Sequence, residues 1–292
     1  MPKESISTYT FGDELAHFTQ LWEERSRPPT SHSQEEWDER AKEWIAGLGA
    51  EGTDKESSNA RVRATAEYLR SAGLLQPDST AADVGCGPGL FVSEFARHIK
   101  YALGIDQSRV FAEYAREIFK KRGLTNAAYD VHDFIALDLA DTDYTGAFDL
   151  VFTSITPAAS GKGCLEKLIA MSRAHCYNAS FVQATDSVAE RVARDVFGEP
   201  FRSRFDGSGF YAMANVLWLN GYYPVTSYYD DERDEKFTPD ADFAANIADT
   251  LGKFADGDAE KILRYIEKYD GERHTEYRFG GLLWDVRTRG RR

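Results

Sequence analysis

Cysteine, methionine and surplus positive charge are all scarce in this 292-residue chain. Its three cysteines, Cys86, Cys164 and Cys176, form an odd, scattered set without a CxxC pair, which excludes a disulfide framework and a thiolate metal cluster. His17, His98, His132, His175 and His274 lack ligand spacing, no two forming HxxxH, so no metal is expected. Lys and Arg number 35 against 48 Asp and Glu, a net charge of -13 that repels a polyanion, so no nucleic-acid partner is expected. The basic ending RTRGRR is too short to reverse that field. No run of 18 apolar residues occurs, and the opening MPKESISTYT has no apolar signal region. The expectation is a soluble cytoplasmic protein with no membrane partner. What is present is a 42% hydrophobic and 13% aromatic content, enough for a substantial core.

The first 75 residues read as helices and polar connectors, a helical extension ahead of a core spanning 76–292. In SHSQEEWDERAKEWIAGLG, Ser33 with Glu36 fits a capping box, Trp37, Ala41, Trp44, Ile45 and Leu48 recur at helical spacing, and Gly49 is a stop. NARVRATAEYLRSAG predicts a second helix ending near Gly73. From residue 80 the pattern alternates. TAADV, YALGID, AAYDVH, FDLVFTS and CYNASFVQA read as strands, separated by helical stretches such as SRVFAEYAREIFKKRG, with Val110, Phe111, Tyr114, Ala115, Ile118 and Phe119 on one face. Such alternation implies crossover connections and a mainly parallel α/β sheet covered on both faces, with ligands beyond the carboxyl ends of the strands. YYPVTSYYDD and FGGLLWDVRTR add a late pair of strands compatible with an antiparallel edge. The acidic run DDERDE, Asp230 to Glu235, is either a solvated edge or a face for a cation.

ADVGCGPGL places Gly85, Gly87 and Gly89 between the first core strand and a helix. Side-chain-free positions there let a ligand approach the backbone and the helix N-terminus. The nicotinamide fingerprint requires a third glycine where Leu90 stands, which counts against a dehydrogenase. Asp106, 17 residues after Gly89 at the end of the next strand, can accept hydrogen bonds from adjacent ribose hydroxyls.

ADVGCGPG followed by GID resembles the first two binding motifs of the class I S-adenosylmethionine-dependent methyltransferases, and VHDF and FDLVFTS are similar to the third and fourth. The resemblance covers Thr80 to Ala184. It implies a Rossmann-like, doubly wound, seven-stranded, mostly parallel sheet of order 3-2-1-4-5-7-6 with an N-terminal helical extension. It also implies S-adenosylmethionine as donor and S-adenosylhomocysteine as product. Carried onto this chain, the cofactor-binding positions are Asp83, Gly85, Gly87, Gly89, Asp106, Gln107, Asp133, Phe134 and Thr153. Asp133 would meet the adenine amino group, the Phe134 backbone would lie near its ring, and the end of the fourth strand would lie under the reacting methyl. The N-terminal aromatic helix looks like the lid of small-molecule methyltransferases. Either Trp37 faces the cationic sulfur, or the tryptophans bury the helix, the role expected of Trp44.

Transfer from a sulfonium is an in-line displacement from a donor already activated by charge, so alignment and water exclusion dominate and no catalytic base is assigned. Enzymes that methylate nucleobase amines resemble one another in an Asn/Asp/Ser-Pro-Pro-aromatic motif after the fourth strand. Ser154-Ile155-Thr156-Pro157 departs from it, which with the acidic charge favours a small-molecule acceptor. Ser154 and Thr156 either bond that acceptor or cap the loop. In such folds residues 186–220 would help build the acceptor pocket. The acceptor atom stays open, as does a homodimer. A non-catalytic S-adenosylmethionine-binding regulator or inactive subunit is the alternative reading.

Overall fold

The computed structural model describes residues 10–25, 33–47, 56–269 and 271–288. Leu48, Gly49, the opening nine residues and the last four lie outside that set. The chain divides into two compact units. The first takes the chain up to Ser180, Ser208–Ser227, and from Gly281 onward; the second is Phe181–Gly207 with Tyr228–Gly280. The segment 186–220 is therefore shared between them.

The first unit begins with α1 (Phe11–Arg25), α2 (Gln34–Gly47) and α3 (Glu56–Ser71). Then come β1 (Thr80–Val84), α4 (Leu90–Phe95), β2 (Tyr101–Asp106), α5 (Arg109–Lys121), β3 (Ala127–Val131), β4 (Phe148–Ser154) and α6 (Lys162–Met171). The chain continues through β5 (Ser172–Asp186), α7 (Ser187–Phe197), α8 (Ser208–Leu219), β6 (Val225–Lys236), α9 (Ala241–Leu251), α10 (Asp258–Ile266) and β7 (Glu272–Asp285). The sheet order is β3-β2-β1-β4-β5-β7-β6, the expected one. β1 pairs in parallel with β2 (Ala82 beside Leu103) and with β4 (Ala82 beside Val151), so it lies between them. Four of its five residues are buried, as befits a strand covered on both faces.

Rings fill the space beneath α4: Phe91 and Phe95 meet Phe152 at 4.5 and 5.1 Å, and Phe152 stacks on Tyr177 at 5.4 Å. The Ser33–Glu36 box forms as expected. The Ser33 N–H donates to the Glu36 carboxylate at 2.8 Å, and the Glu36 N–H donates back to Ser33 Oγ at 3.3 Å. Gly73, just beyond α3, has φ 79, the left-handed stop its position predicts. On α5 Ala115 and Phe119 of the expected face are buried together with Ala112, and Val110, Phe111, Tyr114 and Ile118 are half-buried. The Trp44 ring of α2 meets Phe111 edge-on at 5.6 Å.

The second unit has its own core. Val188, Ala189 and Val192 of α7 pack with Ala244, Ile247 and Ala248 of α9 and with Ile262 and Ile266 of α10. Asp186 caps α7, accepting from the N–H groups of Val188 (2.9 Å) and Ala189 (3.1 Å), while Arg273 donates to its other oxygen at 2.6 Å. A cap of this kind contributes about 1 kcal/mol.

Candidate active site

A cleft opens at the carboxyl ends of β1, β2 and β4, with about 690 Å³ of empty space counting its mouth. Its floor is the glycine loop. Gly85, Gly87 and Gly89 all have positive φ (71, 50 and 73), but they are side-chain-free for three different reasons. A Cβ on Gly85 would lie 1.9 Å from Thr156 Oγ1 and 2.6 Å from Thr156 Cβ, so this glycine is a socket for the end of β4. A Cβ on Gly89 would press on Ala115 and Phe119, both at 3.1 Å, so it serves the packing of α5. At Gly87 the nearest atom, Phe111 Cε2, is an ordinary 3.8 Å away. Gly87 and Gly85 line the cleft; Gly89 does not.

Asp106, at the end of β2, fixes the loop. One carboxylate oxygen accepts from the Gly87 N–H at 2.9 Å and the other from the Ser108 N–H at 3.0 Å. Each oxygen keeps a further lone pair, and the side chain lines the cleft. Burial raises its pKa against the opposing backbone N–H bonds, with Asp38 adding repulsion. Tyr129 donates to the Gly87 carbonyl at 2.8 Å and so pins the loop from below.

Asp83 lies behind the loop, only 2% exposed, and its Oδ2 has no hydrogen-bond partner among the described residues. Burial pushes its pKa well up, Asp106 adds repulsion, and the Arg61 guanidinium opposes both. Arg61 reaches across from α3 to donate to Ser154 Oγ at 2.7 Å, above the Phe91 ring.

The far wall is the turn after β3. Asp133 and Phe134 line it, and one Asp133 oxygen accepts from the N–H groups of Ile135 (3.0 Å) and Ala136 (3.3 Å). Lys167 of α6 clamps the turn by donating to the Phe134 and Ile135 carbonyls at 3.0 and 2.8 Å. After β4 the backbone turns through Ile155 at φ 53, a strained conformation for a β-branched residue. That kink carries Thr156 under Gly85, and Thr156 Oγ1 caps the next turn by accepting from the Ala158 N–H at 3.2 Å.

Residues 81–184 match the family model described as "Methyltransferase domain". The matched segment is a methyltransferase domain, and the strand order is that of the Rossmann-like fold expected for it. Among solved structures, a candidate methyltransferase from Bacillus halodurans is similar to the chain at TM-score 0.50 and 12% identity, covering 76% of this chain and 99% of that one. That likeness shows the fold. A sarcosine dimethylglycine methyltransferase candidate from Galdieria sulphuraria matches at TM-score 0.48 and 14% identity over 85% and 98% of the two chains. A magnesium protoporphyrin IX methyltransferase from Synechocystis with bound S-adenosylhomocysteine matches at TM-score 0.45 and 11% identity over 92% and 99%.

Of the positions singled out in the sequence, the cleft lining gathers Gly85, Gly87, Asp106, Gln107, Asp133, Phe134 and Thr156, with Trp37 of α2. Thr153 is 1% exposed and is not part of the cleft lining; Asn178 on the neighbouring strand β5 donates to its hydroxyl at 2.8 Å. Ser154, Asp83 and Gly89 buttress the lining from outside it. The sequence reading missed Asp38, Arg61 and Lys167, whose partners are distant in the chain. The positive φ of Ile155 had no residue-type signal either.

Proposed function

We propose that the protein transfers the methyl group of S-adenosylmethionine to a small-molecule acceptor, leaving S-adenosylhomocysteine. The observation that carries this reading is Asp106: a carboxylate lining the cleft, one oxygen bonded to the Gly87 N–H of the glycine loop and the other to the Ser108 N–H of its own turn, with acceptor capacity left for a ribose hydroxyl. Gln107 flanks that position. Asp133 keeps one oxygen outside its own turn for an exocyclic amine, and Phe134 supplies an apolar wall. Gly87 leaves the open floor against which the methionyl end lies, with Asp83 buried behind the loop. When bound, the donor supplies an electrophilic methyl whose bond to sulfur breaks as the bond to the acceptor forms. The chain aligns the two partners and excludes water, with Trp37 and the β4 end at Thr156 bordering the methyl side. The lining carries Asp106 and Asp133 but no lysine or arginine among the described residues, which supports an uncharged or cationic small molecule over a nucleic acid.

Calorimetry with S-adenosylhomocysteine tests the reading. Wild type should bind, and Asp106→Asn should bind roughly 10- to 100-fold more weakly, the scale of hydrogen bonds to a charged group. Release of S-adenosylhomocysteine during incubation with a metabolite pool then separates an enzyme from a binding protein. No binding by wild type would refute the assignment.

A further inference from the structure

We propose that Asp38 is a positioning residue that latches α2 onto the Asp106–Ser108 turn, so that occupancy of the donor site and closure of Trp37 over the cleft are coupled. The inference rests on the donor site proposed above. Asp38 Oδ1 accepts from Ser108 Oγ at 2.7 Å and from the Val110 N–H at 3.2 Å. Ser108 is wholly buried. Its Oγ also accepts from the Phe111 N–H at 3.2 Å as the cap of α5, and its own N–H donates to Asp106 at 3.0 Å. One serine thus joins the lid helix, the start of α5 and the carboxylate of the donor site.

The rest of α2 makes this latch decisive for Trp37. Ala41 is fully buried and Trp44 rests on Phe111, so positions 38, 41 and 44 form the docked face. Trp37, next in the chain to Asp38, lines the cleft. The latch also works against a cost. Asp38 and Asp106 are like charges around one serine, and Asp38 raises the pKa of Asp106. The start of the α5 dipole offsets part of that repulsion. Hydroxyl donors arriving at Asp106 draw on its charge and lessen the repulsion felt by Asp38, which tightens the latch. By reciprocity, a closed latch tightens the donor site by the same factor.

The test is a double-mutant cycle read by calorimetric titration of S-adenosylhomocysteine. Asp38→Ala should weaken binding about tenfold, the worth of a charge-assisted hydrogen bond, while Asp38→Asn, which keeps the accepting oxygen but loses the charge, should fall between Asp38→Ala and wild type. In a Trp37→Ala background, Asp38→Ala should add little, because its route runs through that ring. Hydrogen exchange of α2 amides should slow on adding S-adenosylhomocysteine to wild type, but not to Asp38→Ala. Should Asp38→Ala prove unable to fold, the exchange and affinity of Asp38→Ser serve in its place. Wild-type affinity in Asp38→Ala, or equal losses with and without Trp37, would overturn the latch while leaving the donor site standing. Wild type that binds no S-adenosylhomocysteine would remove both.

Discussion

Gly85→Ala is the sharpest perturbation of this site, because the damage can be worked out atom by atom. The new methyl would sit 1.9 Å from Thr156 Oγ1, 2.6 Å from its Cβ and 2.9 Å from its Cγ2. Rotating Thr156 cannot clear a contact with its own Cβ, so the backbone on one side must move. Alanine at φ 71 costs about 1–2 kcal/mol in a left-handed conformation, and forcing the overpacked contact about 1–3 kcal/mol. Losing the Thr156 cap on the following turn costs about 1 kcal/mol. A total near 4 kcal/mol is a large share of the ~5–15 kcal/mol typical of a folded protein. Urea unfolding should show it as a displaced midpoint at unchanged slope. Adding Thr156→Gly should recover only the contact share, leaving about 1–2 kcal/mol of backbone strain and the lost cap of about 1 kcal/mol. Gly87→Ala is the control. Its methyl meets nothing closer than 3.8 Å, so about 1 kcal/mol is lost from stability, yet S-adenosylhomocysteine binding should fall at least tenfold. A wild-type midpoint for Gly85→Ala, or no recovery with Thr156→Gly, would refute the division of labour in the loop.

Two further outcomes follow from Asp83 and Lys167. Because burial raises the pKa of Asp83, the folded protein holds that proton more tightly than the unfolded chain does. Its ionisation therefore destabilises the fold above the folded pKa, and the cost is relieved as pH falls toward the unfolded value. Asp83→Asn should then be more stable than wild type by about 1–3 kcal/mol at neutral pH, with the gain shrinking in acid; a gain independent of pH in urea titrations would contradict this. Lys167→Met removes both bonds that hold the 133–135 turn, and should weaken S-adenosylhomocysteine binding about 3- to 10-fold with about 1 kcal/mol lost from stability; unaltered affinity would show that the turn needs no clamp.

Features written in neighbouring residues were legible. The Ser33–Glu36 box, the Gly73 stop and the β2-terminal Asp106 each carry a local signal, and the motif order from Gly85 to Ser154 led to the strand order. Features written between distant residues were not. Gly85 faces Thr156, 71 positions away, so three evenly spaced glycines read as one ligand cradle although two of them serve packing. Thr153 and Ser154 are adjacent, yet strand alternation turns one to Asn178 and leaves the other to Arg61. Asp38 sits in a helix that reads only as amphipathic, and its partner Ser108 reads only as a helix cap. The last strands were placed but cut short: β5 and β7 run to 15 and 14 residues, beginning in stretches that the pattern does not assign to strands.

The acidic run of β6 now has a setting. β6 is the outermost strand at one end of the sheet; Arg278 and Arg233 pair with Asp230 and Asp231, and the His274 ring bonds Asp234. Glu232, Asp234 and Glu235 remain exposed. A second copy adding its own β6 alongside would set carboxylate against carboxylate along the ladder. That repulsion disfavours edge-to-edge pairing of two β6 strands.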